Sequence, residues 1–144
     1  MLYFAYGSNM SRSVMARHCP MARALGTASL RGWQYCIMRG GYGSIMPRRA
    51  SVVHGVLWRL ACGDMARLDA YEEVARGLYA RRRLFVRHAG QRVAALVYVG
   101  RSGVRGKPLP GYQDGVVIPA ATQWKLPARY LRELCRWSAR GSLP

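Results

Sequence analysis

The first part of the chain constrains the fold most, because an aromatic strand stops at a glycine and a helix start follows at once. The strand is formed by residues 2–6, with the sequence Leu-Tyr-Phe-Ala-Tyr. It is followed by Gly7, Ser8 and Asn9, and Ser11 can then cap a helix over residues 12–18. Such a succession places several backbone N–H groups at one rim. That rim can bind a carboxylate, a phosphate or a developing oxyanion, although ordinary buried strands also end in tight turns of this kind.

Length and composition indicate one folded domain. The chain has 144 residues, of which 51% are hydrophobic, so residues 1–144 can bury a core of their own. No apolar run approaches the ~18 residues that a membrane-spanning helix needs. A secretory signal is not evident either, so we expect a cytoplasmic protein with no membrane partner.

The four cysteines are scattered singly, at positions 19, 36, 62 and 135. Zinc sites and redox motifs use cysteines in closely spaced pairs, and none is present. We therefore expect reduced thiols and no bound metal.

The net charge of +17 comes from 21 arginines and two lysines against six acidic residues. A field of this sign attracts nucleic acid and anionic membranes. The scarcity of lysine equally indicates a compositional preference for arginine on the surface. No nucleic-acid-binding motif is apparent, so nucleic acid is not expected as the main ligand.

The residue pattern predicts an α+β fold, a small mixed β-barrel with flanking helices. Predicted strands cover residues 2–6, 24–39, 42–46, 52–60, 78–88 and 92–99, and predicted helices cover 12–18, 64–73 and 127 to about 138. The segment 101–111 reads as a loop, and Pro119 leaves 112–123 ambiguous.

The helix predicted over residues 64–73 carries a glutamate on its apolar face. Met65, Leu68 and Glu72 are spaced at i, i+3 and i+7 and so share one side of the helix. A carboxylate on an inward face should have a raised pKa, because desolvation disfavours its charged form. The alternative is that Glu72 pairs with one of the many arginines.

Four segments in order resemble the γ-glutamylcyclotransferase-like family. They are Tyr3–Met10, His54–Leu60, Leu68–Glu72 and Gly77–Tyr79. The resemblance implies a compact mixed barrel with a cavity at one end, and it places Glu72 at the catalytic glutamate of the family. The next residue, Glu73, departs from the pattern, because the family usually has glycine there.

The resemblance also implies a reaction. The α-amine of a γ-glutamyl compound attacks its own γ-carbonyl, and 5-oxoproline and an amine or amino acid are released. Glu72 would act as general acid and base, and the backbone N–H groups of Gly7, Ser8 and Asn9 would hold the α-carboxylate or the oxyanion. The remaining implied substrate-binding residues are Tyr6, Tyr79 and Tyr130. The reaction requires no cofactor.

Two other functions stay open at this stage: a non-catalytic ligand-binding or regulatory module on the same fold, and a basic nucleic-acid-binding protein. The sequence indicates neither the leaving group of the substrate nor the oligomeric state.

Overall fold

A closed five-stranded barrel forms the centre of the molecule, for which a computed structural model describes residues 1–138. Residues 139–144, the end of the predicted domain, lie outside the described residues. The strands are β1 (Leu2–Ala5), β2 (Arg23–Ile37), β3 (Gly43–Arg59), β4 (Tyr79–His88) and β5 (Gln91–Gly100). They follow one another around the barrel in the order β1-β3-β2-β4-β5.

One parallel contact closes this barrel. Neighbouring strands are antiparallel except β1 and β5, which run parallel and meet at Tyr3 and Leu96. The predicted small mixed barrel is therefore confirmed.

Four α-helices flank the barrel within the described residues. They are α1 (Arg12–His18), α2 (Asp64–Tyr71), α3 (Ile118–Gln123) and α4 (Ala128–Cys135). The predicted cap of α1 is present, since the Ser11 hydroxyl accepts the Val14 N–H at 3.3 Å. Among residues 1–138, no helix is both long enough and apolar enough to cross a membrane.

The prediction of two separate strands at 42–46 and 52–60 is wrong, because β3 runs through both without interruption. Pro47 lies within β3 opposite Trp33, next to a register shift between Arg31 and Trp33 on β2. A bulge of this kind lets a strand bend and accommodates a residue with no N–H to donate. The polar stretch around Pro47 therefore bends the strand instead of ending it.

The hairpin predicted between residues 78 and 99 is present as β4 and β5. A two-residue turn joins them, and both Ala89 (φ 50°) and Gly90 (φ 78°) have positive φ angles. Turns with two left-handed residues match the twist of an antiparallel pair.

The ambiguous segment around Pro119 is helical. A π-helical turn, Gln113–Val117, leads directly into α3, and Pro119 lies in the first turn of that helix, where its missing N–H costs nothing. The buried side chain of Gln113 accepts a hydrogen bond from the Tyr35 hydroxyl at 2.7 Å and donates one to the Leu134 carbonyl at 3.0 Å. This turn is therefore anchored to both the barrel and α4.

The N-terminal strand lies unusually close to β3. A Cβ at Gly55 would lie 2.2 Å from the carbonyl oxygen of Ala5 and 3.0 Å from the ring of Phe4, which is fully buried. Only glycine allows this approach. The close contact sets the position of β1 and of the turn that follows it.

The second helix is shorter than predicted. It ends at Tyr71, with Glu72 as its C-cap, because Glu73 takes a left-handed conformation at φ 50° and ψ 46°. For residues other than glycine this conformation costs about 1–2 kcal/mol. Residue 73, where the family pattern has glycine and this chain has glutamate, therefore has a backbone conformation that favours glycine.

We expect Glu73→Gly to stabilise the fold by roughly 1 kcal/mol, which is a rise of a few degrees in Tm. The exposed ion pair between Glu73 and Arg76, at 2.9 Å, would be lost but contributes little. Thermal unfolding of the variant measures the effect. Glu73→Ala removes the same ion pair but keeps the Cβ, so a comparable gain in that control would contradict the backbone explanation.

Candidate active site

A cavity of about 150 Å³ opens where β1 ends and where β3 and β4 begin. Its walls come from the first turn, the end of α2 and the start of the π-helical turn. Seven of the nine tyrosines in the chain line it. The lining residues are Tyr3, Phe4, Tyr6, Gly7, Ser8, Asn9, Tyr42, Gly43, Tyr71, Glu72, Glu73, Leu78, Tyr79, Tyr98 and Tyr112.

The carboxyl group of Glu72 lies in this cavity. Burial alone raises its pKa from the ordinary value of 4.5 to about 8. Burial raises the pKa of six tyrosines that line the cavity, and negative charge on Glu72 raises it further. Because one carboxyl group acts on six tyrosines, Glu72 lies near the centre of the cavity lining. Those six are Tyr3, Tyr6, Tyr71, Tyr79, Tyr98 and Tyr112.

Glu72 has no cationic partner within residues 1–138. The ion pairs of this region join Arg67 to Asp64, Arg76 to Glu73 and Arg81 to Asp69. Each neighbouring acid of the segment 64–73 therefore has an arginine, whereas Glu72 has none. The alternative of an arginine-paired structural glutamate does not hold for the described part of the chain.

The turn after β1 forms one wall of the cavity. Residues Ser8–Met10 make a single 3₁₀ turn, so the first N–H groups of that turn have no partner within it. The Ser8 hydroxyl and the Tyr71 hydroxyl are 3.0 Å apart, and the Asn9 side-chain amide donates to the Tyr3 hydroxyl at 3.0 Å. The predicted residues Gly7, Ser8 and Asn9 therefore all line the same cavity as Glu72.

Tyr112 is a site residue that the sequence does not indicate. Its hydroxyl accepts hydrogen bonds from the Gly43 N–H, at 3.0 Å, and from the backbone of Ser8. A Cβ at Gly7 would lie 3.0 Å from the same hydroxyl. Gly7 itself has φ −114°, so it is this close contact, and not a left-handed backbone, that favours glycine there.

Two predicted tyrosines hold the walls in place through their hydroxyls. The Tyr6 hydroxyl donates to the Tyr98 carbonyl, and the Tyr79 hydroxyl donates to the Gly43 carbonyl at 2.5 Å. Both rings line the cavity, but both hydroxyl protons have partners in the protein.

The third predicted tyrosine, Tyr130, does not line this cavity. It is buried on α4, and its ring packs 5.0 Å from the ring of His54 on β3. Tyr130 therefore does not share a cavity with Glu72.

Within residues 1–138, no basic side chain lines the cavity. Although the chain carries 23 lysines and arginines, none borders the cavity among the described residues. Glu72 and Glu73 are the lining residues with a charged side chain. The same part of the chain has no cluster of three or more histidine, cysteine or acidic side chains that could hold a metal ion.

Comparison with known proteins agrees with this geometry. The model of the family described as gamma-glutamyl cyclotransferase, AIG2-like, matches residues 3–125, which include both the first turn and Glu72. The chain belongs to this gamma-glutamyl cyclotransferase family. A curated relative from Mus musculus, named gamma-glutamylcyclotransferase, is 28% identical over 92% of this chain and 76% of its own length.

Two solved structures share the fold of this chain. A structure named gamma-glutamyl cyclotransferase superposes with a TM-score of 0.89 at 23% identity and covers 96% of this chain and 88% of its own. An uncharacterized protein from Homo sapiens superposes with a TM-score of 0.86 at 24% identity, over 95% of this chain and 87% of its own. At these identities the likeness concerns the gamma-glutamyl cyclotransferase fold alone.

Proposed function

We propose that the protein is a γ-glutamyl cyclotransferase with Glu72 as its general acid and base. The α-amine of a γ-glutamyl compound attacks the γ-carbonyl carbon, the bond from that carbon to the leaving nitrogen breaks, and 5-oxoproline and an amine or amino acid are released. The observation that carries this proposal is a glutamate with a pKa of about 8, in a tyrosine-lined cavity, that has no ion pair within residues 1–138.

The raised pKa suits the two proton transfers of the reaction. The substrate enters with an ammonium group, which is not nucleophilic until it loses a proton. A carboxylate with no cation beside it gains an opposite charge when the ammonium arrives, and this lowers its pKa in the complex. Glu72 can then take the ammonium proton and later give one to the leaving nitrogen.

The ring closure itself places modest demands on the protein. Amine and carbonyl belong to one molecule, so folding the substrate into a five-membered ring replaces an encounter between two reactants. The cavity walls, held by the hydroxyls of Tyr6 and Tyr79, favour such a compact conformation of the substrate over an extended one.

The tetrahedral intermediate needs hydrogen-bond donors in place of cations. The backbone N–H groups of Gly7 and Asn9 supply one set, whereas the Ser8 N–H already donates to the Tyr112 hydroxyl. The Tyr112 hydroxyl supplies another, because it already accepts two N–H groups and its own proton is available to donate. Burial raises the pKa of Tyr112, so this hydroxyl remains a donor across neutral pH.

The test is incubation with a panel of γ-glutamyl compounds that differ in leaving group: α-amino acids, an ε-lysyl amine, glutathione and simple amines. We expect 5-oxoproline and the free amine to appear in equal amounts with at least one member. Binding of panel members by calorimetry without any 5-oxoproline would instead support a non-catalytic module.

A further inference from the structure

The end of the barrel opposite the cavity has a distinct surface. Strand β4 begins at the cavity with Tyr79 and ends at His88, where the turn to β5 lies. The His88 ring contacts the Thr27 carbonyl at 2.9 Å. Arg23 on β2 lies opposite Arg59 on β3 in the antiparallel register of these two strands. The starts of β1, β2 and β5 and the ends of β3 and β4 therefore meet at this far end.

Exposed apolar side chains lie at this far end. Met21, just before β2, is 74% exposed, and Phe85 on β4 is 51% exposed. Leu25, on β2 beside the contact between β2 and His88, is 36% exposed. Three of the eight large hydrophobic side chains that are exposed in the described residues thus lie within a few residues of one barrel rim.

Arginines surround these apolar side chains. Arg23, Arg59, Arg87 and Arg92 are all exposed and all lie at the same rim. We call these four arginines, together with Met21, Leu25 and Phe85, the basic end. The five strands carry ten arginines and no acidic residue, whereas four of the six acids of the chain lie between residues 64 and 73.

A second cavity is lined by the start of β1, by α2 and by strands β4 and β5. Its floor is apolar, with Met65 of α2 and Ala94 and Leu96 of β5, and its edge is formed by residues 81–83, which are all arginine. Among these edge residues, Arg81 pairs with Asp69, and neither of the other two has an ion pair within the described residues. An apolar floor with a cationic edge suits a molecule that is both anionic and apolar.

We propose that the basic end docks the protein on an anionic phospholipid surface. Arginine side chains contact lipid phosphates, and the protruding Met21, Leu25 and Phe85 side chains enter the headgroup region. This would be a peripheral contact, so it does not conflict with the lack of a membrane-spanning helix. The substrate cavity, at the other end of the barrel, would remain open to the aqueous phase.

Charge and side-chain chemistry favour a lipid surface over nucleic acid. Single-stranded nucleic acid is held by flat aromatic rings on which bases stack. Phe85 is the single aromatic ring among the seven side chains of the basic end, so the basic end has no row of rings on which successive bases could stack. Flexible aliphatic side chains such as Met21 and Leu25 offer no stacking surface to bases but partition well into a lipid interface.

The experiment is co-sedimentation of the protein with vesicles of phosphatidylcholine alone or of phosphatidylcholine and phosphatidylglycerol in equal parts. We expect binding to the anionic vesicles, weakened by added salt, and little binding to the neutral ones. Equal binding to both vesicle types, or none to either, would overturn the proposal.

Matched variants separate the basic end from the overall charge. Arg59→Ser, Arg87→Ser and Arg92→Ser together should weaken vesicle binding about 100-fold, since each arginine near an anionic surface contributes roughly a fivefold change. The control combines Arg49→Ser, Arg101→Ser and Arg129→Ser, exposed arginines away from the basic end, and has the same net charge. An equal loss in the control would show that only the overall charge matters, and would contradict a docking surface.

Two further readouts complete the test. Leu25→Ser with Phe85→Ser leaves the charge unchanged, and we expect vesicle binding to fall at least about tenfold through lost apolar burial. Circular dichroism confirms that each variant is folded. Tight binding of labelled single-stranded RNA that anionic vesicles fail to displace would assign the basic end to nucleic acid and refute the lipid proposal.

Discussion

Glu72→Gln is expected to lower kcat about 10²- to 10⁴-fold, the usual contribution of a positioned acid–base group. Glutamine keeps the shape and fills the same space but cannot take the ammonium proton. Steady-state release of 5-oxoproline from the best substrate of the panel measures the loss. The control is Glu73→Gln, which alters the adjacent carboxylate and should retain most of the turnover. Full activity in Glu72→Gln together with a dead Glu73→Gln would show that the neighbouring residue is the base.

The same substitution should change how stability depends on pH. The folded pKa of Glu72 is about 8 and its ordinary value is 4.5, so between these values the folded state holds a proton that the unfolded chain has released. The stability associated with this proton is complete below pH 4.5 and is lost as the pH rises through 8. Wild type should therefore lose on the order of 5 kcal/mol relative to Glu72→Gln across that window.

Urea unfolding of both proteins from pH 5 to pH 9 measures this difference. The comparison cancels the effects of all other titrating groups, which the two proteins share. Parallel stability curves would contradict a raised pKa for Glu72, and a reduced turnover in Glu72→Gln would then require another explanation.

Tyr112→Phe is expected to lower kcat about 10²- to 10³-fold, the range found when one donor to a developing oxyanion is removed. The substitution also leaves the Gly43 and Ser8 N–H groups without their acceptor, so we expect a loss of about 1–3 kcal/mol in stability. Kinetics with the best substrate and thermal unfolding measure the two effects separately.

The control for this variant is Tyr35→Phe. Tyr35 is also buried, and its hydroxyl donates to Gln113 at 2.7 Å, but it does not line the cavity. It should therefore lose stability in a similar way and keep its turnover. An equal loss of turnover in both variants would indicate a structural role for Tyr112 in place of contact with the substrate.

Local sequence signals were sufficient for several parts of the fold. The strand, glycine and capped helix at the N-terminus, the β4–β5 hairpin and the helix that places Glu72 at the cavity depend on interactions between residues close in sequence. Where prediction was wrong, as with the uninterrupted β3, a partner strand decided the outcome. Pairing with β2 carries β3 through Pro47, and this contact cannot be read from the local pattern.

In the candidate site, too, the sequence indicated the local features and the tertiary structure decided the rest. The sequence alone indicated Glu72 and the turn of Gly7, Ser8 and Asn9, because a carboxylate on an apolar helix face and a glycine-containing bend are local features. It did not indicate Tyr112, nor that basic side chains are absent from the lining in the described part of the chain, and it placed Tyr130 at the site although Tyr130 does not line the cavity. These depend on barrel closure, which brings β1, β3 and β5 to the end of α2 and the π-helical turn. Periodicity shows which side chains are buried, but only long-range strand pairing decides which of them meet.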